Sequence, residues 1–264
     1  MADFTAKDVQ ALRQATGAGM MDAKKALVDA GGDFDAAAKK LREKGLAKAA
    51  TRADRDNVEG AVAVAETDTA AAIVQLKSET DFSAKSADFV ALTQDIADAV
   101  AAGGPSAVEQ FTGRIDDLKV TLKENIDLGT VTHVEKGEGQ VIDTYVHVQD
   151  GRGVNGVVTV LDGGDAELAH DVSIHIAFTK PAYLRRDEVP QAAIDEERST
   201  LEDITRKEGK PEQALPKIVE GRLDGWFRDQ VLLEQKFVRD EKVTIEKLLG
   251  AASLVRFEQV VVGG

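Results

Sequence analysis

Over the first fifty residues the apolar positions recur at helical spacing, and glycines interrupt them twice. Thr5-x-x-Asp8 is a capping-box sequence ahead of Val9, Leu12 and Thr16, and Gly17-Ala18-Gly19 ends that helix. Met20, Ala23, Leu27 and Ala30 repeat the spacing as far as Gly31-Gly32. Asp33 can then cap a third helix on which Phe34, Ala38 and Leu41 line up. Stripes this rich in alanine predict a small three-helix bundle with a thin core. Charged, alanine-rich sequence from Lys48 to Asn57 predicts a helical linker.

The hydrophobic period then changes to 2. After Glu59-Gly60, Val62 and Val64 alternate with alanine, a turn falls near Thr67-Asp68, and Ala70–Leu76 returns as a buried strand. A helix starts near Ser86, carries Phe89, Leu92, Ile96 and Val100 on one face, and stops at Gly103-Gly104-Pro105. The same order is repeated downstream. Glu138-Gly139 precedes a strand, Val141–Val146, then a turn, Asp150-Gly151-Arg152-Gly153, then a strand, Val154–Leu161. Gly163-Gly164-Asp165 leads into a second helix, whose Asp171–Ala177 aligns with Asp95–Ala101 of the first. The pattern predicts an internal duplication of a hairpin-plus-helix unit, each half needing the other to bury a face. The connections that replace one another are Lys77–Ser86 and Asp162–Asp165, and only the first carries an aromatic, Phe82.

From Val189 the helical period resumes as a hairpin. Pro190 suits a first turn, Ile194, Leu201 and Ile204 form a narrow stripe, and Gly209-Lys210-Pro211 makes the turn. Leu215, Val219, Leu223 and Trp226 form the returning stripe, with Pro216 near its start. Such an arm buries little by itself, so it packs on a partner or on itself. Leu254–Val261 alternates and is expected to add an edge strand.

The fold class expected is therefore α+β: a three-helix bundle, a duplicated hairpin-plus-helix core and a protruding helical hairpin arm. The domain boundaries follow: a module over 1–56, core subdomains over 57–136 and 137–187, the latter with a strand over 253–262, an arm over 188–234 and a carboxy-terminal module over 235–264.

Composition narrows the function. Hydrophobic content of 43% and charged content of 30% are those of a globular chain, and no apolar run approaches the ~18 residues of a bilayer span. Zero cysteines exclude disulfides, a thiolate nucleophile and thiolate metal sites. With no basic and apolar leader in Met1-Ala2-Asp3-Phe4-Thr5, a cytoplasmic location is expected. A net charge of −14 with no dense basic patch argues against nucleic acid as partner. Lys39-Lys40-Leu41-Arg42-Glu43-Lys44 reads as the solvated face of a helix.

Catalytic constellations are weak. His170 and His175 stand five apart, about 140° round a helix, and cannot share a metal as an i, i+4 pair can. Asp171 and His175 do share a face, which raises a hydrolase reading, but His175 is better read as a packed histidine. Gly17-Ala18-Gly19 ahead of Lys24-Lys25 lacks the residues of a phosphate loop. No cofactor and no metal are expected. Two features resist a purely structural account. Met20 and Met21 point about 100° apart on a helix, so they cannot both fill one thin core: either they form a protein-contact surface, or one is a core residue and the other incidental. Phe82 either staples the following helix or serves as a tool on a loop.

Leu12-Arg13, Thr16–Asp22 with Lys24-Lys25-Ala26-Leu27, and Glu79-Thr80-Asp81-Phe82 with Ala84-Lys85 closely resemble the bacterial translation elongation factor Ts family. So do Lys180-Pro181, Gly209-Lys210-Pro211, Lys217–Arg222 and Arg256-Phe257-Glu258, in order along the whole chain. The resemblance implies nucleotide exchange on elongation factor Tu without bond chemistry. It implies a wedge, Phe82, with Asp81 as charged companion and Thr80 beside them. Met20, Met21 and Lys24 would form the amino-terminal contact, and His175, Phe237 and Val238 would touch other parts of the partner. Pairing of the arm with a second copy is left open. Departures from the family's usual residues stand at Ala23, Ser78, Ser83 and Arg239. The rival reading is a ubiquitin-associated-like adaptor that binds peptides without exchange activity.

Overall fold

The computed structural model describes residues 4–263. Contacts group the chain into two compact units, Met1–Glu135 with Val146–Gly156 and Val260–Gly264, and Lys136–Tyr145 with Val157–Gln259.

The first unit begins with three helices, α1 (Ala6–Thr16), α2 (Met20–Asp29) and α3 (Phe34–Ala50). The Thr5–Asp8 capping box is complete: Asp8 Oδ2 accepts the Thr5 N–H at 2.6 Å and Thr5 Oγ1 accepts the Asp8 N–H at 3.3 Å. Gly17 ends α1 in the left-handed conformation (φ 63°), and the Asp33 side chain caps α3. Val9, Leu12, Ala23, Ala26, Leu27, Ala37 and Leu41 make the core. Met20 is absent from it: the buried positions of α2 are Ala23, Ala26 and Leu27. The linker expected after residue 48 is helical only to Ala50 and continues as turns.

Strands β1 (Glu59–Glu66) and β2 (Ala70–Ser78) form an antiparallel hairpin. The short helix α4 (Asp81–Ala84) and then α5 (Ala87–Gly103) and α6 (Thr112–Leu122) lead to β3 (Asp127–Glu135), which pairs antiparallel on the other side of β2. The period-2 pattern sorts by size. Ala61, Ala63 and Ala65 pack with Phe89, Leu92, Ile96 and Val100 of α5, so small side chains on the sheet receive large ones from the helix. On the opposite face, a side chain on Gly156 would run into Val62, Val64 and Ile73. Sequence patterning had not indicated α6 or β3, although Ile115, Leu118 and Leu122 stand at helical spacing.

Strands β4 (Gln140–Gln149) and β5 (Arg152–Asp162) contribute residues to both units, as does β8 (Ser253–Val261), and the three form a sheet with β5 in the middle. Helix α7 (Ala166–Thr179) follows β5, capped by Asp165. Each sheet thus places the second hairpin strand centrally, and each takes its third strand from later in the chain. The repeated order of elements thus extends one strand further than a hairpin plus a helix.

Between α7 and β8 the second unit carries α8 (Gln191–Lys207), α9 (Leu215–Gln230), the small hairpin β6 (Lys236–Phe237) and β7 (Asp240–Thr244), and α10 (Ile245–Leu249). The stripes of the α8–α9 hairpin differ from expectation at both ends. Phe227, not Trp226, is buried, because Leu215, Val219, Leu223 and Phe227 keep a strict i, i+4 row. On α8 the buried residue is Thr205 and Ile204 is exposed. Thr205 can be buried because its hydroxyl donates to the Leu201 carbonyl at 2.6 Å and accepts from Arg222. Among the described residues no helix is long and apolar enough to cross a membrane.

Candidate functional site

Phe82 sits on α4, a single helical turn at the corner between β2 and α5. Its neighbours Ser83 and Ala84 turn inward and are buried, so the ring turns outward and is 85% exposed. At that exposure the ring cannot staple α5; the aromatic buried in this core is Phe89, on α5 itself. One isolated turn is not stable on its own. Here side chains hold it. Thr80 is the N-cap, its Oγ1 accepting the Ser83 N–H at 3.4 Å. The Ser78 hydroxyl donates to the Thr80 carbonyl and the Ser86 hydroxyl to the Ser83 carbonyl. Asp81 accepts from Lys85 at 2.6 Å, and Lys85 also reaches Asp150 at 3.1 Å. That hydrogen bond, with the positive charges of Lys85 and then Arg152, holds the Asp81 carboxyl below its ordinary range.

Glu124 supplies the rest, and sequence reasoning missed it. Its Oε2 accepts the N–H groups of Glu79 and Thr80, each at 3.1 Å, and its Oε1 accepts the Thr80 hydroxyl at 2.6 Å. It lies 44 residues along the chain from Thr80. A solitary Glu-Asn pair between a helix and a strand carries no periodicity, so no local signal marks it.

On α2, Met20 is 49% and Met21 75% exposed, and Val28 and Lys24 are exposed as well. Neither methionine is a core residue. The helix supporting them is steadied by Lys44, which reaches Asp22 at 2.9 Å. This is also the fate of the basic run on α3: Arg42 pairs with Asp117, Lys40 donates to the Asp29 carbonyl, and the face is solvated.

In the second unit His175, Phe237 and Val238 do lie together, but His175 presents no surface. It is completely buried, which corrects the expectation that it touches a partner directly. Its Nε2–H donates to Gln235 Oε1 at 2.9 Å, and its Nδ1 accepts the Val238 N–H at 3.3 Å. Thr179 also donates to that Gln235 oxygen, and the Gln235 amide donates to the Asp229 carbonyl. Phe237 is buried beside the imidazole and Val238 is half-buried. Asp171 is engaged by Arg239 and makes no pair with His175, so the acid–base reading has no geometry behind it.

Burial pushes the His175 pKa below its ordinary value of 6.5. Protonation would set a second ring N–H against the Val238 N–H, so the folded state needs the neutral form. The unfolded chain takes up the proton first as pH falls, so stability present above about pH 6.5 is lost below it. His175→Gln is expected to flatten the fall in stability between pH 7 and 5, by at most about 1.4 kcal/mol per pH unit and most steeply below about pH 6, where the unfolded imidazole is charged and the folded one still neutral. Chemical denaturation at a series of pH values measures it; parallel wild-type and variant curves would refute it.

Known proteins are similar to this chain over nearly its whole length. Residues 79–264 match the family model described as Elongation factor TS. The chain is 44% identical over 264 aligned positions to elongation factor Ts of Clavibacter sepedonicus, with 96% of each chain covered. It is 41% identical over 279 positions to elongation factor Ts of Thermobifida fusca, covering 100% of this chain and 99% of the relative. To elongation factor Ts of Mycobacterium avium it is 42% identical over 282 positions, with 98% of each covered. With the family model matching residues 79–264 and relatives 41–44% identical over 96% or more of each chain, the chain belongs to the elongation factor Ts family.

Proposed function

We propose that the chain is a guanine-nucleotide exchange factor that binds elongation factor Tu carrying GDP and promotes GDP release, so that GTP can enter during translation elongation. The observation that carries this reading is the exposed Phe82 on a corner held by side-chain hydrogen bonds. A large aromatic left in water by a soluble fold is a contact residue in waiting. A factor that prefers the nucleotide-free GTPase must weaken nucleotide binding by the same ratio, whatever the route. Pushing a ring between packed helices biases a two-state element of the partner and requires no acid, base or metal from the factor.

In this reading Phe82 is the wedge and Thr80 and Asp81 set its direction. Met20, Met21 and Lys24 dock the amino-terminal helices, which act as a ubiquitin-associated-like module over residues 1–56. Val238 forms a further contact with Phe237 packed behind it, and His175 serves it by holding the Val238 backbone. The rest of the chain divides into core subdomains over 57–136 and 137–187 with 253–262, a protruding coiled-coil arm over 188–234, and a carboxy-terminal module over 235–264. The arm is the part suited to pairing with a second copy. The setting is the cytoplasm, with no nucleic acid, membrane or cofactor involved.

The test mixes the chain with elongation factor Tu loaded with fluorescent GDP and excess unlabelled nucleotide. Release far above the spontaneous rate is expected. Binding without acceleration would leave only the adaptor reading. In the same assay Met21→Ala is expected to raise the half-saturating concentration about fivefold or more, the cost of truncating an interface residue worth about 1 kcal/mol. Its melting point should not move, since the side chain is exposed.

A further inference from the structure

We infer that Glu124 is a positioning residue for exchange, and that with Asn125 it forms a bracket fixing the Phe82 corner to the exit of the amino-terminal helices. The inference rests on the exchange reading above. One carboxylate, half-buried, takes both backbone N–H groups that lead into α4 and the hydroxyl of its cap, Thr80. The next residue acts in the other direction. The Asn125 N–H donates to Glu79 Oε1 at 2.6 Å, and its buried amide donates to the carbonyls of Ala53 and Arg55 at 3.1 and 2.7 Å. Arg55 closes the ring by pairing with Glu79 at 3.4 Å. Lys123, in the left-handed conformation at φ 62°, turns the chain out of α6 and delivers both residues to this point.

Apart from the Arg55–Glu79 ion pair, every link is a hydrogen bond to backbone or to the cap, Thr80. The bracket is therefore built for direction more than for bulk stability. A four-residue helix without it would sample many orientations, and a partner would have to order the corner at the moment of binding. Losing the bracket should therefore slow the step in which the wedge enters. The initial encounter through Met20 and Met21 should be spared.

The experiment compares wild type with Glu124→Ala, Glu124→Gln and Glu124→Asp, following fluorescent GDP release from elongation factor Tu at rising factor concentration. For Glu124→Ala we expect a maximal rate about tenfold lower with a half-saturating concentration within about threefold of wild type, the split expected when an interaction acts only on the activated state. Glutamine can accept both N–H groups and donate to the Thr80 hydroxyl, so Glu124→Gln should recover most of the rate; aspartate, one methylene short, should not. Amide hydrogen exchange of Glu79 and Thr80 in the free protein should quicken in the alanine variant and return toward wild type in the glutamine one. A maximal rate for Glu124→Ala within twofold of wild type overturns the inference. So does a glutamine variant as slow as alanine with melting points falling in parallel. If wild type fails to accelerate release, the exchange reading fails, and the amide protection alone then decides whether the bracket exists.

Discussion

Phe82→Ala is expected to remove most of the acceleration of GDP release, about thirtyfold or more, while leaving the fold intact. The magnitude is that of a contact hot spot: truncation costs about 2 kcal/mol or more, and each 1.4 kcal/mol is a factor of ten. The ring is 85% exposed in the free chain, so its removal opens no cavity. Surface truncations of this kind stay within about 0.5 kcal/mol, which for a chain of this size is a shift of about 2 °C at most in melting point. Exchange kinetics and a thermal melt on the same preparation suffice. Retained exchange would remove the wedge from the mechanism. A melting point lowered by many degrees would show that the ring packs in solution after all.

Gly153→Ala is expected to do the reverse, damaging the fold of the first unit. A Cβ at this position would fall inside contact distance of the Val62 carbonyl oxygen and stand 2.7 Å from Val146 Cγ2. The obstacle on one side is backbone, which cannot rotate out of the way as a side chain can. Overpacking of this kind costs about 3 kcal/mol, or roughly 6–12 °C in melting point at this chain length. Calorimetry measures it; a shift under about 2 °C would mean that the strand carrying Gly153 lies farther from β1 than described.

Much of the architecture was legible because it is periodic. The 3.6 period with Thr5, Gly17 and Asp33 as punctuation marked α1, α2 and α3 to within a residue or two. The 2 period marked both hairpins, and the repeated order of turn, strand and helix announced the duplication. The stretch 105–135 escaped although Ile115, Leu118 and Leu122 stand at helical spacing, because no side-chain cap marks the start of α6 and the apolar residues of β3 do not alternate strictly. At the site, Phe82 was conspicuous for its chemistry among small and charged neighbours. Glu124 was invisible, since a carboxylate beside a helix end is ordinary until its acceptors are seen meeting Thr80. His175 was readable as a packed histidine, but its hold on Val238 was not.

By itself, then, the sequence determined which elements form, where they start and stop, and which residues stand out chemically, for those follow from local propensity and spacing. Only the tertiary structure decided which of the standout residues face water. Periodicity tells which residues share a face and says nothing of what covers it. Met20 and Phe82 are left in solvent while Ala23, Ala26 and Phe89 are the residues buried in the neighbouring cores, and His175 is enclosed because Gln235 and Val238 return to it from 60 and 63 residues away.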